Sequence, residues 1–194
     1  MIAHNASIPG WAADIYPWLE EVASPHIPQC GTYLEIGTFL GASLAHMGTL
    51  RPDIALITVD PWEDEPSEPV GDEPPGWRGL GQYTGYVQER GGLFLAFLRT
   101  MLQHAPDVLR RTRVLRGTAA TVGVLSPVDV LFIDGAHDRR SVDMDITAYA
   151  PLVKRGGLIA GHDWPWPGVK GAVDLHYSPL DVHTRESVWW VVQA

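Results

Sequence analysis

Apolar residues along this chain fall into short blocks separated by stretches of a different spacing. Blocks at residues 33–36, 55–59, 113–116, 128–133 and 158–160 are brief and bounded by turn residues, the pattern of strands buried inside a parallel sheet. Between them, apolar positions recur every three or four residues: Trp11, Ile15, Trp18, Leu19 and Val22, then Phe94, Phe97, Leu98, Met101 and Leu102, then Val142, Ile146, Tyr149 and Val153. These predict helices over 11–22, 94–105 and 141–153. The first starts or kinks at Pro17, and the last ends in the cationic pair Lys154-Arg155 before Gly156-Gly157. A helix over 169–176, a short strand near Val182 and a strand over 188–192 complete the chain. Strands alternating with helices predict a doubly wound α/β sheet, with the last two strands antiparallel at one edge.

One segment breaks the alternation. Residues 62–92 are rich in Pro, Gly, Asp and Glu and carry no sustained period. A loop this long inside a compact domain reads either as a lid over the active edge or as a solvated acidic insertion. Residues 1–28 form an N-terminal helical extension, and residues 1–194 form one domain.

Composition changes the picture in three ways. The formal net charge is −9 with no basic run, which argues against nucleic acid and against an anionic membrane surface as partners. The single cysteine, Cys30, rules out an intramolecular disulfide and suits a reducing cytoplasm, and neither a signal segment nor a membrane-length apolar run is present. The eight tryptophans leave three uses open: a core, an aromatic pocket, or the interface of a homo-oligomer.

Candidate chemistry begins at the stretch TYLEIGTFLGAS, residues 32–43. It reads strand, glycine turn, helix, an arrangement that presents backbone and a helix N-terminus to a ligand at the carboxyl edge of a sheet. The residue two before Gly37 is Glu35, where a dinucleotide fingerprint has glycine. A carboxylate there repels a pyrophosphate and attracts a cation. The plainer alternative is that the glycines only serve a tight crossover. Asp60 closes the second strand at the distance where such folds bind a ribose diol, or else opens a turn before Pro61.

The E-x-G-x-x-x-G pattern resembles motif I of the class I S-adenosylmethionine-dependent methyltransferases. The run FIDGAHDRRSVDMDITAYAPLVKRGGLIAGHDW, with D-G-x-H after the fourth strand, L-x-x-G-G, and an [EH]-D pair after the fifth, narrows the likeness. It resembles a subfamily related to macrolide-sugar O-methyltransferases and cephalosporin-hydroxylase-type proteins. The likeness runs from about Gln29 to the C-terminus, apart from the acidic loop. It implies a doubly wound, mostly parallel, seven-stranded Rossmann-like sheet with an antiparallel C-terminal edge strand. It also implies S-adenosyl-L-methionine held by Glu35, Gly37, Gly41, Ser43 and Asp60, with Thr118, Ala119 and Asp134 near the adenosyl group; Trp62 is expected beside the adenine because it follows Asp60 so closely. Asp134, His162 and Asp163 match the family's divalent-metal positions, and His137 matches a general base, so the catalytic set is His137, Asp134 and Asp163.

The residue types suit methyl transfer to an alcohol or phenol oxygen of a small hydroxylated acceptor. Such an oxygen is protonated at neutral pH; a base removes the proton, and Mg2+ or another divalent metal lowers the oxygen's pKa. His162 stands where a carboxylate gives the better magnesium site, which favours borderline ions. Three alternatives stay open: that His162 only supports the two aspartates, that no metal binds, and that Asp163 merely caps the turn before Pro165. Two other functional classes compete: a non-catalytic S-adenosylmethionine-binding module, and a hydroxylase-like enzyme on the same fold. Neither a P-loop, a Ser-His-Asp nucleophile elbow nor a zinc knuckle occurs.

Overall fold

A computed structural model describes residues 8–63, 81, 83–124 and 126–194. The expected lid lies mostly outside the described residues; its last part contains the helix α4 introduced below. Seven strands form one sheet: β1 (Thr32–Ile36), β2 (Ala55–Asp60), β3 (Thr112–Arg116), β4 (Val128–Ile133), β5 (Val153–Gly161), β6 (His183–Arg185) and β7 (Val188–Val192). Their order is β3-β2-β1-β4-β5-β7-β6. The first five run parallel, and β7 pairs antiparallel with both β5 and β6. The doubly wound α/β expectation and its antiparallel C-terminal edge are borne out.

Side chains alternate across the strands and so divide the interior into two layers. Tyr33, Val130, Phe132, Leu158 and Ala160 face one layer, against residues of α1 (Tyr16–Trp18), α3 (Ala42–Leu50), α5 (Leu93–His104) and α6 (Pro106–Arg111). Leu34, Ile36, Leu131, Ile133 and Ile159 face the other, against α7 (Arg139–Tyr149) and α8 (Pro167–His176). A π-helical turn (Leu19–Ala23) links α1 to α2 (Ser24–His26), and α4 (Thr84–Glu89) precedes α5. Trp18, Trp62 and Trp189 are fully buried, so these three tryptophans serve the core.

The N-terminal helical stretch begins at Tyr16, in keeping with the start expected at Pro17, because proline fits a first helical turn and not an interior one. A separate α6 starts at Pro106 for the same reason. Lys154 and Arg155 lie in β5, not in the last turn of α7. Pro151 limits the helix to Tyr149 plus one 3-10 turn (Ala150–Leu152), and Lys154 Nζ instead pairs with Asp129 at 2.9 Å. Asp129 also accepts from the Thr32 amide at 2.8 Å, which ties β1, β4 and β5 together at their amino ends. Among the described residues, no helix is long and apolar enough to cross a membrane.

Candidate active site

The turn after β1 is shaped by contacts within the protein. Gly37 has φ +81°, and its α-carbon lies so close to the chain after β4 that an added Cβ would sit 2.2 Å from the Asp134 carbonyl oxygen. Gly41 has φ +92°, and a Cβ there would meet Met101 Sδ of α5 at 2.5 Å. Asp60 anchors the turn from β2: its carboxylate accepts from the Phe39 amide at 2.8 Å and from the Trp62 amide at 2.6 Å. Burial pushes the Asp60 carboxyl up to about 6, against the pull of those amides. The Gly117 amide donates to the Asp60 carbonyl at 2.9 Å, which brings the turn holding Thr118 and Ala119 to the same edge.

Two side chains expected to face a ligand turn inward instead. The Trp62 indole is 1% exposed, donates to the Phe39 carbonyl at 2.8 Å, and packs on Phe94 and Phe97 of α5. Its backbone has φ +44°, which swings the ring into the core and leaves no face for an adenine ring. Glu35 is 0% exposed, because strand alternation points it into the layer of Tyr33 and α3. Burial and the nearby Asp134 push its carboxyl up to about 8, although hydrogen bonds from Tyr33, Thr38 and Ser43 oppose the shift. At neutral pH Glu35 therefore holds a proton and braces the glycine turn from below, with Ser43 as one of its supports.

This arrangement makes a stability prediction with a definite sign. The folded carboxyl titrates near 8, above its ordinary 4.5, so the stabilisation carried by its proton is complete below pH 4.5 and is lost as pH rises toward 8. The slope is about 1.4 kcal/mol per pH unit at most. Glu35→Gln, which keeps the shape and the hydroxyl contacts, is expected to flatten that slope relative to the parent chain in urea titrations across this window. Glu35→Ala strands the buried Tyr33 hydroxyl, opens a cavity beneath the turn and is expected to cost about 2 kcal/mol. Equal pH slopes in the parent and the Gln variant would contradict the assignment.

Beyond the ends of β4 and β5 the polar residues gather. Asp138 caps α7 by accepting from the Ser141 amide at 3.0 Å, and this fixes His137 just ahead of the helix. His137 Nε2 lies 2.9 Å from Asp163 Oδ2, and its ring rests on Trp166 with centroids 4.2 Å apart. His162 Nδ1 lies 3.2 Å from Asp134 Oδ1 and 3.3 Å from Asp163 Oδ2. Asp163 adopts φ +55°, and its carbonyl rather than its carboxylate accepts from the Trp166 amide at 2.9 Å. The turn before Pro165 is thus closed by backbone, and the carboxylate is left to the two histidines.

Electrostatics hold the cluster in alternating charge. Burial alone would pull His162 down, but Asp134, Asp14 and Asp163 together raise it to about 12, so it is an imidazolium in this arrangement. Burial alone would push Asp163 up, yet hydrogen bonds from His137 and His162 hold it well below the usual carboxylate range. A cleft opens here, its polar wall formed by Asp134, His137, His162 and Asp163 over a floor that includes Val142 and Trp189. Two further participants, Asp14 and Ser187, went unread in the sequence. His162 Nε2 lies 3.0 Å from Asp14 Oδ2, and Ser187 Oγ donates to that same oxygen. Asp14 is 148 residues from His162, and no local motif marks such a pairing.

Comparison with known proteins decides the family. Residues 34–164 match the methyltransferase domain family. The chain belongs to that methyltransferase family. Solved structures of methyltransferases share its fold at low identity. The O-methyltransferase NovP is 18% identical with a TM-score of 0.59, over 93% of this chain and 78% of NovP. An O-methyltransferase from Bacillus cereus, solved with SAH, is 15% identical with a TM-score of 0.60, over 97% of this chain and 86% of its own. MycE methyltransferase of the mycinamycin biosynthetic pathway, solved with Mg, SAH and mycinamycin VI, is 18% identical with a TM-score of 0.55, over 92% of this chain and 49% of MycE.

The methyltransferase match takes in every residue from Glu35 to Asp163 discussed above and leaves out Asp14 and Ser187. The cluster also passes a test as a cation site. One ligand atom each from Asp134, His162 and Asp163 lies within 4.8 Å of the others, two anionic oxygens and one imidazole nitrogen. That donor set suits a divalent ion once Nδ1 gives up its proton.

Proposed function

We propose that this methyltransferase transfers the methyl group of S-adenosylmethionine to a hydroxyl oxygen of a small molecule, with a divalent ion held by Asp134, His162 and Asp163. The observation that carries the reading is the convergence of His137 with those three residues at the carboxyl edge, beside the turn at residues 37–41. The cofactor supplies an activated methyl on a sulfonium, and a bound divalent ion lowers the pKa of the acceptor hydroxyl.

The chain's own residues do the remainder. Gly37, Gly41 and Asp60 shape the turn that receives the cofactor; Thr118 and Ala119 border it from β3. Ser43 and Glu35 support it from beneath. His137 takes the acceptor's proton, and Asp163 orients the ring and steadies the imidazolium that forms. Asp134 reaches both parts of the site, since its backbone abuts Gly37 and its carboxylate faces His162. The imidazole in the donor set favours manganese or zinc over magnesium. The mycinamycin in MycE supports a small hydroxylated acceptor. The single Cys30 supports a cytoplasmic setting.

Calorimetric titration with S-adenosylmethionine, in chelator and again in excess manganese, tests the reading. Micromolar binding is expected in both. Asp60→Ala, which releases the Phe39 amide, is expected to weaken it at least tenfold while the protein stays folded. An absence of heat under either condition would remove the methyltransferase activity proposed here.

A further inference from the structure

We infer that Asp14, seated by Ser187, is a positioning residue that turns His162 Nδ1 toward Asp134 and Asp163 and thereby gives the site its preference for a nitrogen-favouring divalent ion. This inference rests on the metal-assisted reading above, and it adds two residues outside the family match. His162 is only 8% exposed, so its ring is oriented by its contacts and not by solvent. One edge faces the two aspartates at 3.2 and 3.3 Å; the opposite edge faces Asp14 Oδ2 at 3.0 Å. A carboxylate accepting from Nε2–H keeps that proton in place, so that Nδ1 is the nitrogen that offers a lone pair when a metal displaces its proton. A carboxylate behind a ligating imidazole also raises its basicity, the arrangement that strengthens histidine–metal bonds.

Asp14 is held well enough to do this. It lies in the turn before α1, between the buried residues Ala12 and Ile15, and the Ile15 amide closes that turn onto the Ala12 carbonyl at 3.1 Å. Ser187, in the turn between β6 and β7, donates its hydroxyl to Asp14 Oδ2. Its carbonyl accepts from the Trp164 amide at 2.9 Å, one residue past Asp163. The contacts therefore close a circuit from Asp163 through Trp164, Ser187 and Asp14 to His162. Neither Asp14 nor Ser187 is among the three residues whose atoms converge as ligands, so their part is orientation.

The test uses the full chain stripped of metal by chelation and titrated separately with Mn2+, Zn2+ and Mg2+. The parent chain is expected to bind Mn2+ and Zn2+ more tightly than Mg2+. Asp14→Asn is expected to weaken Mn2+ and Zn2+ binding ten- to hundredfold. Mg2+, which depends on the carboxylate oxygens, is expected to change less than threefold. Ser187→Ala keeps Asp14 but frees it, and is expected to act in the same direction by three- to tenfold. It carries the test if Asp14→Asn does not fold. Nitrogen-15 spectra of the zinc-bound protein, with the His162 signals assigned by their loss in His162→Gln, should show Nε2–H in the parent. A merely structural role for Asp14 would leave those signals unmoved. Metal affinities of both variants within twofold of the parent, an Nδ1–H tautomer, or no Mn2+ or Zn2+ binding by the parent would each overturn the inference. S-adenosylmethionine titrated into the same samples separates the cases: heat from the cofactor without a metal response removes Asp14's role and leaves the transferase reading standing.

Discussion

Gly37→Ala is expected to destabilise the protein by about 3 kcal/mol or more and to abolish cofactor binding. Two causes add. The backbone sits at φ +81°, where a Cβ costs about 1 kcal/mol, and that Cβ would stand 2.2 Å from the Asp134 carbonyl oxygen and 2.4 Å from the Gly135 α-carbon. Those neighbours are backbone, so no rotamer change relieves the clash; β1 and β4 would have to separate at the edge where the site is built. Gly156→Ala is the control. It has φ +80° with nothing within 4 Å of an added Cβ, and is expected to cost only about 1 kcal/mol. Urea unfolding of the pair isolates the close approach from the dihedral strain. Equal losses would show that the crossing at Gly37 is looser than described.

The second large effect falls on chemistry. Asp163→Asn is expected to lower methyl transfer by a factor of about 10² to 10⁴, read as S-adenosylhomocysteine release with a panel of hydroxylated acceptors. The substitution is close to isosteric, and asparagine tolerates the left-handed backbone found there at φ +55°. The fold is expected to survive with reduced stability, because the depressed carboxyl stabilises the charged histidine beside it, while cofactor affinity is expected to change little. What disappears is the anion that faces His137 at 2.9 Å and His162 at 3.3 Å. Transfer within threefold of the parent would exclude Asp163 from the catalytic set.

Much of this architecture could be read from local pattern because its causes are local. Contiguous apolar runs such as 128–133 report strands covered on both faces, and the positions of Gly37 and Asp134 follow from turns that end such strands. Side-chain direction was harder to read. Trp62 follows the β2 carboxylate directly, yet a left-handed backbone sends its indole into the core. Glu35 occupies a motif position associated with a charged ligand, but strand alternation buries it among hydroxyls. The end of the helix at Tyr149 was hidden by basic residues that suit a helix terminus but in fact serve Asp129 across the sheet. Asp14 and Ser187 were not legible at all. Their contact joins positions 173 residues apart and obeys no spacing rule, since only the closed sheet brings them together.

That contact has a consequence during synthesis. Chains emerge and fold from the N-terminus, so the five parallel strands can assemble before β6 and β7 are made. Asp14 is translated 173 residues before Ser187, and the hydroxyl that seats Asp14 behind His162 is absent until then. A chain that stops before β7 would hold the cofactor turn, the three converging residues and Asp14, but with Asp14 unseated by Ser187. Synthesis through Ser187 is thus what seats Asp14, and under the metal-assisted reading proposed above a fragment ending before β7 is expected to bind Mn2+ or Zn2+ more weakly than the parent chain.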